Sequence, residues 1–133
     1  MLDYTGVRVR DLARSRLFYT VGLGLRLVAS GRTPAGGQWE MLEDPVSRHR
    51  LELNRYPDAP EYREGDELDH LGFRVASLEE TLERLRPLGA RVRIPPFEEG
   101  GLRRAFVSDP DGVWVELRET GGTDAPPTSQ ALE

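Results

Sequence analysis

Cysteine is absent from the 133 residues. That excludes a disulfide framework, a thiolate nucleophile and any zinc site built on sulfur. Lysine is absent too: the 18 basic residues are all arginine, set against 23 acidic ones for a formal charge of −5. Nucleic-acid binding is not indicated by that balance, and a fixed contact to an anion would have to use guanidinium forks. No apolar run approaches the roughly 20 residues of a membrane span, and the N-terminus shows no basic-then-apolar leader pattern. The expectation is a soluble, cytoplasmic chain with no membrane or nucleic-acid partner, of a length that suits one domain with a real core.

What the chain does have is an internal duplication. Asp3, Gly6, Arg8 and Val9 recur as Asp69, Gly72, Arg74 and Val75; Leu23-Gly24 recurs as Leu88-Gly89; Met41 to Pro45 followed by Leu51-Glu52-Leu53 recurs as Phe106 to Pro110 followed by Val115-Glu116-Leu117. The landmarks keep their order at an offset of about 65 residues. A unit of this size present twice is a duplicated supersecondary module, not an array.

Each copy has the same pattern of periods. Residues 4–9 alternate as a half-buried strand. Asp11 is placed to cap a helix running to about Thr20, closed by Gly22 and Gly24. In the second copy Ser77 with Glu80 forms a capping box, Leu78, Leu82 and Leu85 share a helical face, and Pro87 and Gly89 end the helix. Three strands are predicted after each helix, over 25–30, 38–43 and 49–54, then 90–94, 102–108 and 113–118. Asp109-Pro110-Asp111-Gly112 supplies turn chemistry, and Asp44-Pro45 begins its counterpart. The expected fold class is therefore α+β: two tandem βαβββ modules forming a curved, mostly antiparallel sheet around a cleft, with helices on the outer face. The expected division is module one at 1–54, a polar linker at 55–68, module two at 69–118 and a flexible tail at 119–133.

Strand parity identifies the candidate site, since successive side chains point to opposite faces. Leu51 and Leu53 oppose Arg50, Glu52 and Asn54; Val113, Val115 and Leu117 oppose Trp114 and Glu116. Leu71, Phe73 and Val75 oppose His70, Gly72 and Arg74, just as Thr5, Val7 and Val9 oppose Tyr4, Gly6 and Arg8. With helices on the apolar faces, Tyr4, Glu52, His70 and Glu116 project from the other side, where curvature would bring them together. Arg8 and Arg74, as repeat mates on that face, could hold a substrate carboxylate or phosphate. Trp114 is placed to stack on a ligand, Trp39 is expected in the core or the pocket wall, and His49 is expected to be exposed.

These landmarks, with Arg8 to Ser15, Phe18-Tyr19, Asp69 to Phe73 and Phe106 to Leu117, resemble the vicinal oxygen chelate superfamily, whose best-known member is glyoxalase I. The resemblance covers residues 3–118 and implies the paired-module fold. It implies a divalent metal (Ni, Zn, Mn, Fe or Mg) held by side chains from the first and last strands of both modules. Carried over by position, these are Glu52, His70 and Glu116. Tyr4 stands where a histidine belongs, and a phenol is a poor neutral-pH ligand for such ions. Catalytic metal sites often keep open positions, so three ligands suffice.

The implied activity is that of a metal-dependent lyase or isomerase acting on a small 2-oxo or 2-hydroxy compound, or its thiol adduct, through an enediolate. Glu116 or Glu52 would be the base, and Tyr4 would orient substrate or act as an acid. Arg8 is similar in position to an arginine that binds glutathione. The same scaffold also serves drug-sequestering proteins that bind small molecules without catalysis. A homodimer is implied in either case.

Overall fold

The structure is a computed structural model. It describes residues 1–34, 36–58, 61–63, 65 and 67–120, so all of the tail expected at 119–133 except its first two residues lies outside the described residues.

The strands are β1 (Thr5–Arg8), β2 (Arg26–Arg32), β3 (Gln38–Glu43) and β4 (Arg50–Arg55) in the first copy, and β5 (Leu71–Val75), β6 (Arg91–Glu99), β7 (Leu102–Ser108) and β8 (Trp114–Glu119) in the second. Helices α1 (Leu12–Leu17) and α2 (Leu78–Leu85) follow the first strand of each copy. The strands form two four-stranded mixed sheets, ordered β1-β4-β3-β2 and β5-β8-β7-β6. In each, the first strand runs parallel to the last and the other pairings are antiparallel. The α+β class and the duplicated βαβββ unit are as the sequence led us to expect. Within one chain, however, the eight strands stand as two sheets and do not close around a cleft. No helix is long and apolar enough to cross a membrane among the described residues.

Local chemistry accounts for the element ends. The Asp11 carboxylate accepts from Arg14 N at 3.0 Å and the Ser77 hydroxyl from Glu80 N at 3.2 Å, satisfying amides that have no partner within the helix. Gly89, at φ 97°, closes the 3₁₀ turn after α2 in the left-handed region that suits glycine. Helix one ends differently from its expected run to Thr20. Phe18–Gly22 widens into a π-helical turn, which lets the adjacent rings of Phe18 and Tyr19 both be fully buried. Strand β6 runs past its expected end through Pro95-Pro96. An edge strand tolerates prolines that cannot donate to a ladder, and the register shifts there between Ile94 and Phe97. Strand β8 extends to Glu119, and Thr120 N donates to Val75 O.

The apolar faces of both sheets turn to the helices and merge in one core. Val7, Leu42, Leu51 and Leu53 from the first sheet join Ala105, Val107, Val115 and Leu117 from the second around Phe18, Tyr19, Leu78 and Leu85. Burying each large side chain contributes about 1.5–3 kcal/mol. A polar clasp crosses this core. Tyr19 donates its hydroxyl to Asp109 Oδ2 at 2.7 Å, and Ser15 donates to Asp111 Oδ2 at 2.8 Å. Asp109 Oδ1 also accepts from Asp111 N and Val113 N, closing the Asp109–Gly112 turn, where Gly112 takes φ 97°. Burial raises the Asp109 carboxyl above its ordinary value, against the lowering effect of the Tyr19 hydroxyl and the two amides. Burial first, and then the charge of Asp109, hold the Tyr19 phenol well above its ordinary value, so it stays a donor. The second module's turn is thereby locked to the first module's helix.

Candidate active site

With both apolar faces committed to the core, the opposite faces carry the polar residues in register. In the first sheet Gly6, Glu52 and Met41 form one cross-strand row, and Arg8, Asn54 and Trp39 form the next. In the second sheet the matching rows are Gly72, Glu116, Phe106 and Ile94, then Arg74, Arg118, Arg104 and Phe97. Parity therefore places Glu52, Glu116, Arg8 and Arg74 on the faces the sequence implied. Tyr4 and His70 precede β1 and β5 as matching lead-in residues, both exposed.

His70 and Glu116 are brought together. His70 Nε2 stands 3.3 Å from Glu116 Oε2, and its Nδ1 stands 2.6 Å from Asp69 Oδ2. A neutral imidazole donates from one nitrogen and accepts at the other, whereas a carboxylate only accepts. With both carboxylates ionised, the two contacts are matched when the ring is doubly protonated or when a cation is shared at Nε2. A carboxylate on the far ring nitrogen is the arrangement that orients a metal-binding histidine. Glu116 is buried and also meets Arg118 Nε at 3.3 Å and Arg104 at 4.0 Å from its Oε1.

Glu52 does not join them. Among the described residues no three histidine, aspartate or glutamate side chains stand close enough to hold a metal ion together. The expected convergence of Glu52 with His70 and Glu116 is thus not seen among the described residues of one chain, where the strands form two separate sheets. The Glu52 carboxylate lies over β1, with Oε1 at 3.9 Å from where a Cβ on Gly6 would stand. Its side chain has no hydrogen bond or ion pair among the described residues. Tyr4 is 43% exposed.

A cavity of about 860 Å³ is lined by Gly6 and Arg8 from the first copy and by His70, Phe106 and Trp114 from the second. Aromatic packing shapes its wall: Phe106 lies edge-on to His70 at 5.6 Å, 6.0 Å from Trp114 and stacked with Phe97 at 6.3 Å. Arg8 lies over the Tyr56 ring at 4.9 Å. A second cavity, of about 490 Å³, is lined by His70, Arg74, Arg118 and Arg50. His49 is exposed and lines this second cavity, and Trp39 is half-buried on the Asn54 row.

Three participants were not singled out from sequence. Asp69 was detectable as an acid immediately before the strand histidine. Arg118 follows Glu116 by two positions, and so shares its face. Arg104 becomes evident only once the β7–β8 register is known.

A sequence model of the Glyoxalase/Bleomycin resistance protein/Dioxygenase superfamily matches residues 1–117. The chain belongs to that superfamily. Lactoylglutathione lyase of Salmonella typhimurium is 33% identical over 127 residues, covering 89% of this chain and 91% of the relative. That of Haemophilus influenzae is 32% identical, covering 90% and 93%. Among solved structures, the glyoxalase I of Leishmania major superposes with a TM-score of 0.75 at 28% identity, covering 90% of this chain and 86% of that one. The superfamily's paired-module fold is thus present along the whole matched length.

Proposed function

We propose that this superfamily member is a glyoxalase-type, divalent-metal-dependent lyase or isomerase. Its substrate would be a small 2-oxo or 2-hydroxy compound or its thiol adduct, with lactoylglutathione the first candidate from the relatives' names. The observation that carries the reading is the His70–Glu116 pair backed by Asp69, together with a Glu52 carboxylate that has no hydrogen bond or ion pair among the described residues. These donors fit a borderline divalent ion in type: one imidazole and two carboxylates. Glu52, His70 and Glu116 would hold it.

The site would be completed between two copies, with the Glu52 face of one chain meeting the His70–Glu116 face of another in a homodimer. Two features support this. Neither β1 nor β5, at its sheet edge, pairs across to the other sheet. Apolar side chains also remain exposed on the opposite edges, Leu27 and Val28 on β2 and Val92 and Ile94 on β6, a surface that a second copy would cover.

A divalent ion held there by Glu52, His70 and Glu116 would supply Lewis acidity that eases loss of a carbon-bound proton. The chain's own residues do the rest. Glu52 or Glu116 accepts the proton, and Asp69 fixes the ring of His70 through Nδ1. Arg8 binds an anionic end of the substrate, Trp114 and Phe106 cover its apolar part and exclude water, and Tyr4 orients substrate by its hydroxyl.

A second reading is favoured by the aromatic wall and by the tyrosine at position 4: a non-catalytic small-molecule binding protein. Divalent-ion affinity of the wild type beside His70→Ala separates the two. One ion bound per site, with affinity lost in the variant, supports the enzyme. Ligand binding with no ion bound by the wild type contradicts it and leaves the binder.

A further inference from the structure

The second sheet carries more positive charge on its open face than its partner groups account for. Arg74, Arg118 and Arg104 occupy one cross-strand row over β5, β8 and β7. Residues paired across a sheet stand about 5 Å apart at Cβ on the same face, where like charges repel. Among the described residues only Glu116 faces this row, within 3.3 Å of Arg118 and 4.0 Å of Arg104. Arg74 has no ion pair among them. The Nε groups of Arg104 and Arg118 are both buried without a hydrogen-bond acceptor, the Arg118 contact to Glu116 being too poorly aligned to count.

The duplication supplies an internal control. The same row in the first sheet reads Arg8, Asn54 and Trp39. There Asn54 spends its amide on the carbonyls of Val7 and Glu52, and Arg8 rests on Tyr56. The fold thus does not require a row of cations at this level. Buried guanidinium donors left unmatched cost stability, so their presence in one copy alone calls for an acceptor that the described residues do not provide.

We infer that Arg74, Arg104 and Arg118 form an oxyanion subsite that takes a carboxylate or phosphate of a small ligand. The row lies two residues along the strand from Glu116, about 7 Å at the usual rise. The inference rests on the site proposed above for its position: the substrate would carry an anionic group about that far from the oxygens presented to Glu116. A lactoyl group, which ends in a methyl, would leave the row unfilled. Guanidinium forks match planar carboxylates and phosphates two bonds at a time.

Calorimetric titration of the metal-free protein with inorganic phosphate and, separately, with pyruvate reads this directly and shows which oxyanion is preferred. Saturable binding of either is expected, weakened about tenfold by Arg118→Gln or Arg104→Gln, the loss of one charged hydrogen bond. Arg74→Gln, at an exposed position that folding tolerates, should weaken it in the same direction. Divalent-ion affinity measured on the same variants should not fall, since Glu116 loses a competing cation. Absence of anion binding by the wild type, or equal binding by wild type and Arg74→Gln, overturns the subsite. If ion binding persists while anion binding is absent, only this inference fails. Anion binding without ion binding leaves the subsite standing and removes the metal reading.

Discussion

The two copies of the module have nearly the same interior and different exteriors. Leu53 and Leu117 occupy equivalent positions and are both fully buried, as are Leu42 and Val107. On the open faces the copies diverge at matching levels: Tyr4 against His70, Asn54 against Arg118, Trp39 against Arg104. The core constrains volume and apolar character in both copies alike. The open face bears on neither, so it is free to specialise. The first copy offers a lone carboxylate, and the second offers an oriented histidine, a second carboxylate and a bank of arginines. Under the proposed function each would hold part of one site.

The sharpest way to break this comparison is at the two glutamates. If both faces serve one reaction, Glu52→Gln and Glu116→Gln should each lower turnover of lactoylglutathione or a better substrate. The one that removes the base should cost about 10²–10⁴ in kcat, and the other should act chiefly through ion affinity. Steady-state kinetics at saturating metal separates them, and an unaffected Glu52→Gln would confine function to the second copy. The interior should respond evenly. Leu53→Ala and Leu117→Ala are each expected to destabilise by about 2–5 kcal/mol in denaturant unfolding, and a large asymmetry would mean that one module is only loosely folded onto the other.

The clasp between the copies should show a smaller effect. Tyr19→Phe removes the hydroxyl that Asp109 accepts from, and is expected to cost about 1–3 kcal/mol. The smallest effect is a pH slope. Burial raises the folded Asp109 carboxyl above its unfolded value, so the folded state holds that proton more tightly. Its contribution is fully present below the ordinary aspartate range near ~3.9 and is lost as pH rises through the raised folded value. Asp109→Asn should remove this decline, measured as thermal stability across that acidic window. An unchanged slope would assign it to another group.

Much of this was legible in the sequence because it depends on period and parity. Leu51 and Leu53 against Glu52, and Val115 and Leu117 against Glu116, fix which face is which wherever the strands pair. The capping residues Asp11 and Ser77 are local signals and were equally plain. The π turn at Phe18–Gly22 was not, since nothing local distinguishes it from a continuing helix; it follows from burying two adjacent rings in a core shared with the second module. The length of β6 was hidden by Pro95-Pro96, whose tolerance depends on the strand being at an edge. The separation of Glu52 from His70 and Glu116 was hidden for a related reason. Parity gives the face of a strand but not which sheets share a surface, and that is decided by helices packing at long range. Arg104 belongs to the same class, being visible only through cross-strand register.

Mixing two disabled variants tests whether one site draws on module one of one chain and module two of another. Glu52→Gln and His70→Ala should each bind divalent ion poorly on their own. After the mixture is unfolded and refolded together, half of the dimers combine one of each, and every such dimer has one intact site. Tight ion binding is expected to recover to about a quarter of the wild-type number of sites. No recovery, with dimers formed and both variants folded, would contradict a site shared between chains.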